Sequence, residues 1–192
     1  MATPDFAESD GAPSIDYGWM RSLSKAMEET ELPATLLDAV QPLERFPEID
    51  MDILTFVVKS KSSEWQEVLH DPQHFNLPQS YRIDFAVCIH VYTLSDPPVF
   101  AIINREMFNR DRRQVGGGRS ISPALGACLP YIKFLREALR ALPQRFKYKG
   151  EARRGVKWVY PSPDHHNPTS HFKTGRKLMW YEYKSTSKEP QV

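Results

Sequence analysis

The sequence has few of the residues that mark a disulfide-linked, membrane-spanning or flexible protein. It holds two cysteines among 192 residues, which is too few for a disulfide framework, and no Cys/His spacing suits a structural zinc site. Cys88 and Cys128 both lie in apolar helical patterns, which predicts two buried thiols. No apolar run approaches membrane-spanning length. Nine glycines against sixteen prolines indicate firm element boundaries and few flexible linkers.

The N-terminal residues lack the features of a targeting segment. Residues 1–14 are polar and acidic, without the apolar run of a signal peptide or the arginines of a transit peptide. We therefore expect a disordered tail over residues 1–14 and a cytoplasmic protein that makes no membrane contact. Gly116–Gly118 lacks the Gly-Lys-Ser/Thr ending of a phosphate-binding P-loop, and we interpret it as a hinge loop.

Charge is distributed very unevenly along the chain. Residues 1–100 carry 17 acids and 6 bases, whereas residues 101–192 carry 19 bases and 7 acids. A basic half suits an anionic partner, either the phosphates of a dinucleotide or a nucleic acid. The alternative is that the two halves neutralise each other in the fold.

Hydrophobic periodicity predicts helices first and strands last. Met51–Val58 fits either a helix or a strand, and beyond residue 150 the apolar period changes to alternation, at Val156, Trp158 and Tyr160 and again within Lys177–Ser187. This order predicts an α+β fold. Helices are expected from Tyr17, after Pro33, after a Ser63 cap, after a Ser80 cap, from Asp96-Pro97 and from Ser122-Pro123.

Two signals in the predicted strands point to chemistry. Arg153-Arg154-Gly155-Val156 offers guanidinium groups beside a glycine that permits close backbone approach, which suits a phosphate or carboxylate. Ser185-Thr186-Ser187 offers three adjacent hydroxyls at a strand end, after Trp180 and Tyr183, which suits a sugar and a heteroaromatic ring. Either pattern alone is also common in strands and loops that bind nothing.

Two other candidate sites are weaker. His165-His166 could ligate a metal, but adjacent histidines do not easily face one ion and no acid cluster accompanies them. We therefore expect no metal. Trp158, Trp180 and Tyr181 could stack on nucleic-acid bases, although half-buried strand aromatics explain them as well.

The order of these motifs resembles the arginine-specific mono-ADP-ribosyltransferases of the R-S-E class. The matching pieces are Arg154-Gly155-Val156, the Phe172-x-x-Gly175 turn and Ser185-Thr186-Ser187. Upstream, the helical segments Ile89–Thr93, Asn104-Arg105 and 131–143 resemble the helical lobe of that family. The resemblance covers roughly residues 75–187.

The resemblance implies a fold and a division of the chain. We expect an N-terminal helical lobe followed by the first strands of an ADP-ribosyltransferase-type β-sandwich, incomplete at the C-terminus. In this division the disordered tail is followed by a helical extension, 15–75, and a partial catalytic domain, 76–192. Within that domain the helical lobe covers 76–143 and the NAD-binding strands cover 150–187.

The resemblance also implies a reaction and its residues. ADP-ribose passes from NAD (or NADP), which is a substrate rather than a resident cofactor, to an arginine of an acceptor protein, and nicotinamide is released. Arg154 and Ser185 are the catalytic residues. Arg154, Gly155, Ser185, Thr186 and Ser187 bind NAD, with Gly155 meeting the nicotinamide carboxamide through its backbone.

One family feature does not follow Ser187. Members carry a Glu-x-Glu pair on a later strand, whereas this chain reaches Val192 with Glu189 as the single acid after Ser187. The resemblance therefore implies a member truncated before its glutamates and weakly active or inactive as given. Two alternatives stay open, namely an NAD-binding pseudo-transferase and a basic module for nucleic acid or protein. Nucleic acid is the weaker partner.

Overall fold

The structure is a computed structural model that describes Ala7–Glu8, residues 17–108, residues 121–150 and Leu178–Met179. Six α-helices and two short 3₁₀ helices account for the regular structure of residues 17–108 and 121–150. We number the helices α1 to α6 in chain order, and the two strands β1 and β2.

The first helices form where the apolar spacing predicts them. Helix α1 (Tyr17–Glu29) buries Leu23 and Met27 on one face. Helix α2 (Leu36–Val40) begins at Thr35, which forms a capping box with Asp38. A 3₁₀ helix (Gln41–Arg45) continues directly from α2 and contains Pro42, so this proline opens a turn and does not end the helical segment.

Helix α3 is one continuous helix from Met51 to Val68. Asp50 caps it, because the carboxylate accepts hydrogen bonds from the backbone N–H groups of Asp52 and Ile53. The prediction of a separate helix capped by Ser63 is wrong, since Ser63 lies exposed inside α3. The ambiguous Met51–Val58 stretch is therefore helical.

Helices α4 (Ile83–Thr93) and α5 (Val99–Phe108) both begin later than the sequence predicts. Arg82, not Ser80, is the N-cap residue of α4, and its side chain makes no capping hydrogen bond there. Asp96 and Pro97 are joined by a cis peptide, and α5 begins two residues after Pro97.

Helix α6 (Pro123–Ala141) is the longest helix and lies at the centre of the packing. Ser122 caps it as predicted, accepting a hydrogen bond from Leu125 N at 3.0 Å. Helices α1, α2, α4 and α5 and the first 3₁₀ helix all pack against α6. Its buried side chains include Tyr131 and Phe134, the largest of the fully buried side chains, and the Phe134 ring meets Phe85 edge-on at 5.1 Å. A second 3₁₀ helix (Gln144–Phe146) follows.

The predicted α+β fold with the first strands of a β-sandwich is wrong for the part of the chain that the structure describes. That part is helical, and its sheet is one antiparallel pair of two-residue strands, β1 (Ala7–Glu8) with β2 (Leu178–Met179). Strands of two residues are too short to present an apolar face for sandwich packing. This prediction depends on the alternating residues of 150–187. Of that range the structure describes Gly150 and β2, and the rest lies outside the described residues.

Candidate functional site

The residues expected to bind NAD lie outside the described residues. These are Arg154, Gly155, Ser185, Thr186 and Ser187. The same holds for the weaker candidates, which are the Gly116–Gly118 loop, Trp158, His165-His166, Trp180 and Tyr181. The described segments next to the two motifs are residues 144–150, which precede Arg154, and β2, which precedes Ser185.

The helical segments named by the resemblance are brought together. Ile89–Thr93 belongs to α4, Asn104-Arg105 to α5 and residues 131–141 to α6, and these three helices pack against one another. The Tyr92 hydroxyl donates to Asn104 Oδ1 at 3.0 Å, which joins the C-terminal turn of α4 to α5. The last buried core residue of α6 is Ala138, and α6 ends at Ala141, twelve residues before the first motif begins at Arg153.

Arg105 forms a charged cluster with Glu48 and Glu106. Its guanidinium donates to Glu48 Oε1 at 2.7 Å and to Glu106 Oε1 at 3.2 Å, and it lies 6.0 Å from the centre of the Phe46 ring. The hydrogen bond from Arg105 is the main cause that lowers the pKa of Glu48. Glu106 is the one buried charged side chain in the described part of the chain. Since Arg105 is committed to two carboxylates, the cluster fixes α5 to the segment before α3.

Arg82 and Asp84 form a second structural cluster. Asp84 Oδ2 accepts from Leu36 N at 3.2 Å, and Arg82 donates to Asp84 and to the Ala34 carbonyl. The Arg82 guanidinium also lies 4.9 Å from the centre of the Phe85 ring. Both side chains therefore tie the start of α4 to the start of α2. No local motif signals this role, because the partners are 48 residues apart.

His90 lies at the boundary between α3 and α4. Its ring meets Trp65 edge-on at 5.4 Å. Burial lowers the pKa of His90, Lys61 lowers it further, and Glu64 opposes both. The edge-on contact with Trp65 makes His90 a packing residue.

The thiols of Cys88 and Cys128 are both buried, as the sequence predicts. Burial raises the pKa of Cys88, so this sulfur stays protonated and is a poor nucleophile. Tyr131 donates to the Cys88 carbonyl at 2.8 Å, and Tyr81 donates to the Ala138 carbonyl at 3.1 Å. Burial raises the pKa of Tyr81 to about 12.

An exposed basic and aromatic segment follows α6. Arg145, Phe146, Lys147, Tyr148 and Lys149 alternate cation and ring, and all five are exposed. The guanidinium of Arg145 donates to the carbonyls of the loop before α4, at Phe75 and Asn76, and lies 5.0 Å from the centre of the Phe146 ring. Lys147 Nζ donates to the Arg140 carbonyl at 2.9 Å. The sequence analysis did not identify this segment as a candidate site, although the alternation of cations and rings is visible in the sequence.

Two features are absent from the part of the chain that the structure describes. No group of three or more His, Cys, Asp or Glu side chains there is placed to hold a metal ion. None of the helices in that part is long and apolar enough to cross a bilayer.

Comparison with known proteins adds no evidence to the resemblance seen in the sequence. No family model, curated protein or solved structure matches the chain.

Proposed function

We propose that this protein weakly transfers ADP-ribose from NAD to an arginine of an acceptor protein and releases nicotinamide. The observation that carries the proposal is the order and spacing of three sequence motifs, Arg154-Gly155-Val156, Gly175 and Ser185-Thr186-Ser187. The proposal concerns the activity of these residues. It does not depend on the sandwich fold that the helical structure contradicts.

The chemistry explains the residue types. The bond from ribose C1′ to the pyridinium nitrogen breaks, the electron pair leaves with nicotinamide as a neutral molecule, and C1′ gains positive charge. No general acid is needed for that departure. An acceptor guanidinium nitrogen then bonds to C1′ and loses a proton. The protein's main task is to hold the flexible dinucleotide in one conformation.

Arg154 suits that task because a guanidinium can donate two parallel hydrogen bonds to a phosphate. Ser185 supplies a hydroxyl that can donate to or accept from the ribose at the nicotinamide end. Gly155 leaves room for the backbone to approach the carboxamide. Thr186 and Ser187 add hydroxyls beside Ser185.

The described helices support the proposal in one respect. The segments of α4, α5 and α6 that resemble the family's helical lobe pack together, and Tyr92 and Asn104 join two of them directly. A lobe whose parts lay on separate surfaces would have weakened the resemblance.

The test is transfer to agmatine, a small molecule that carries the arginine guanidinium, with nicotinamide release as a second readout. Arg154→Ala should lower the transfer rate by roughly 10- to 150-fold, because a charge-assisted phosphate contact of about 1.5–3 kcal/mol is lost. Arg153→Ala is the matched control, since it removes the neighbouring guanidinium, and it should keep the activity of the unmodified protein.

The outcomes separate the proposal from its alternative. Transfer that Arg154→Ala leaves undiminished would contradict the assignment. NAD binding without any transfer would overturn the transferase proposal in favour of a pseudo-transferase that retains the dinucleotide site.

A further inference from the structure

We propose that the surface formed by Phe75, Arg145, Phe146, Lys147, Tyr148 and Lys149 binds single-stranded nucleic acid. We call it the basic–aromatic surface. It belongs to the described residues, lies outside the NAD motifs and does not depend on the proposed transferase activity.

The first argument is charge. Residues 121–150 carry six bases and one acid. Within the described residues, the ion pairs made by these bases are those of Arg136 and Arg140, and both go to Glu137 in the same helix. The acids of residues 17–108 therefore do not neutralise this region through ion pairs. A cluster of cations that forms no ion pair with another element among the described residues is suited to attract a polyanion.

The second argument is the exposure of aromatic rings among these cations. The exposed fractions of Phe75, Phe146 and Tyr148 are 44%, 41% and 53%. Lys147 has extended backbone angles, φ −94° and ψ 112°, so the side chains of Phe146 and Tyr148 leave the backbone on the same side. Exposed rings between cations are the elements on which unpaired bases stack while phosphates meet the charges.

The third argument is rigidity. Arg145 is hydrogen-bonded to the carbonyls of Phe75 and Asn76, and Lys147 to the last turn of α6 through the Arg140 carbonyl. These contacts hold the segment against the helical core. A pre-positioned surface loses less conformational entropy when it binds a ligand.

The observations favour unpaired nucleic acid over two other anionic partners. A membrane-surface segment needs a helix with a continuous apolar face, whereas these rings alternate with cations outside an α-helix. A duplex keeps its bases stacked internally and would leave the three rings unused. Single strands use both the charges and the rings.

The experiment measures binding of the full chain to a fluorescent oligouridylate of about 15 nucleotides by anisotropy, across a series of salt concentrations. The double variant Phe146→Ala/Tyr148→Ala should weaken binding at least about five-fold for each ring that stacks on a base. Lys149→Glu should reduce the slope of log K against log salt by roughly 0.7 or more, because one phosphate contact is lost.

Two matched controls lie on α3. Phe56→Ala removes a ring that is 70% exposed, and Lys59→Glu reverses an exposed charge. Both should bind the oligonucleotide like the unmodified protein, and circular dichroism checks that every variant keeps its helices. The ring variant should also titrate NAD unchanged, so failure here is distinguishable from failure of the proposed transferase.

Three results would overturn the proposal. They are no binding at about 50 mM salt, equal affinity of the ring variant and the unmodified protein, and preference for a duplex or for phosphatidylserine vesicles over the single strand.

Discussion

The hydroxyls of Tyr81 and Tyr131 are hydrogen-bonded inside an otherwise apolar core. Tyr131 on α6 donates to the Cys88 carbonyl of α4, across 43 residues of sequence. Tyr81 donates to the Ala138 carbonyl on the same helix, α6. These bonds satisfy polar groups that would otherwise be buried without partners, and they fix where α4 and the segment before it lie against α6.

The first prediction at this scale concerns Tyr131→Phe. The Cys88 carbonyl lies within α4 and keeps its helical hydrogen bond, so only the bond from the tyrosine is lost. We expect the free energy of unfolding in urea to fall by about 1 kcal/mol. Unchanged or higher stability would show that the bond contributes nothing to the packing of α4 on α6.

The second concerns His90 and pH. Its pKa is lowered in the folded chain from the usual 6.5, chiefly by burial. The unfolded chain therefore binds this proton first as the pH falls, so stability should decrease as the pH drops below 6.5 and level off below the folded-state pKa. The lowered carboxyl pKa of Glu48 acts separately, below its ordinary value of 4.5.

Urea unfolding between about pH 5 and pH 7.5 measures the His90 effect, with His90→Gln as the control that should flatten the slope. An NMR titration that placed the pKa of His90 at or above 6.5 would contradict the account.

At the scale of elements, apolar spacing predicted where helices occur better than where they begin. The stripe of α6 and its Ser122 cap were both visible in the sequence. Ser63 was wrong as a cap because it lies inside α3, and Ser80 was wrong because it lies in a turn two residues before Arg82, the N-cap residue of α4. Asp50 supplies the cap of α3 in place of Ser63, and the sequence contains the same local signal at both positions.

The contrast between two serines tests these boundaries. Ser122→Ala should lower the free energy of unfolding by about 1 kcal/mol, because a helix cap is lost. Ser63→Ala should leave it unchanged or raise it by up to about 0.5 kcal/mol, because alanine is the better residue inside a helix. A loss at Ser63 comparable to that at Ser122 would restore the prediction of two helices.

At the scale of the whole molecule, the sequence predicted helices followed by strands, whereas the part of the chain that the structure describes is a helical core with one short strand pair. The contacts that organise this core join distant residues, such as Arg105 and Glu48, 57 residues apart, and periodicity carries no information about them. The candidate NAD residues could be named from the sequence alone. Their convergence depends on how two separate segments lie in space, which neither spacing nor composition determines.

Removing a large side chain from the centre of the core should destabilise the folded protein strongly. Phe134 is fully buried and packs edge-on against Phe85. We expect Phe134→Ala to lower the free energy of unfolding by about 3–5 kcal/mol. Phe56→Ala, at a ring that is 70% exposed, should change it by less than about 0.5 kcal/mol. Similar losses for the two variants would show that α6 is not the centre of the packing.

Calorimetric titration with NAD tests the central claim most directly, namely that Arg154 and Ser185 contact one dinucleotide. We expect saturable heat from the unmodified protein, at least about ten-fold weaker binding for Arg154→Ala and a smaller loss for Ser185→Ala. Arg153→Ala and Ser162→Ala, the matched controls, should titrate like the unmodified protein. An unmodified protein that takes up no NAD, or an Arg154→Ala variant that binds it undiminished, would contradict the account.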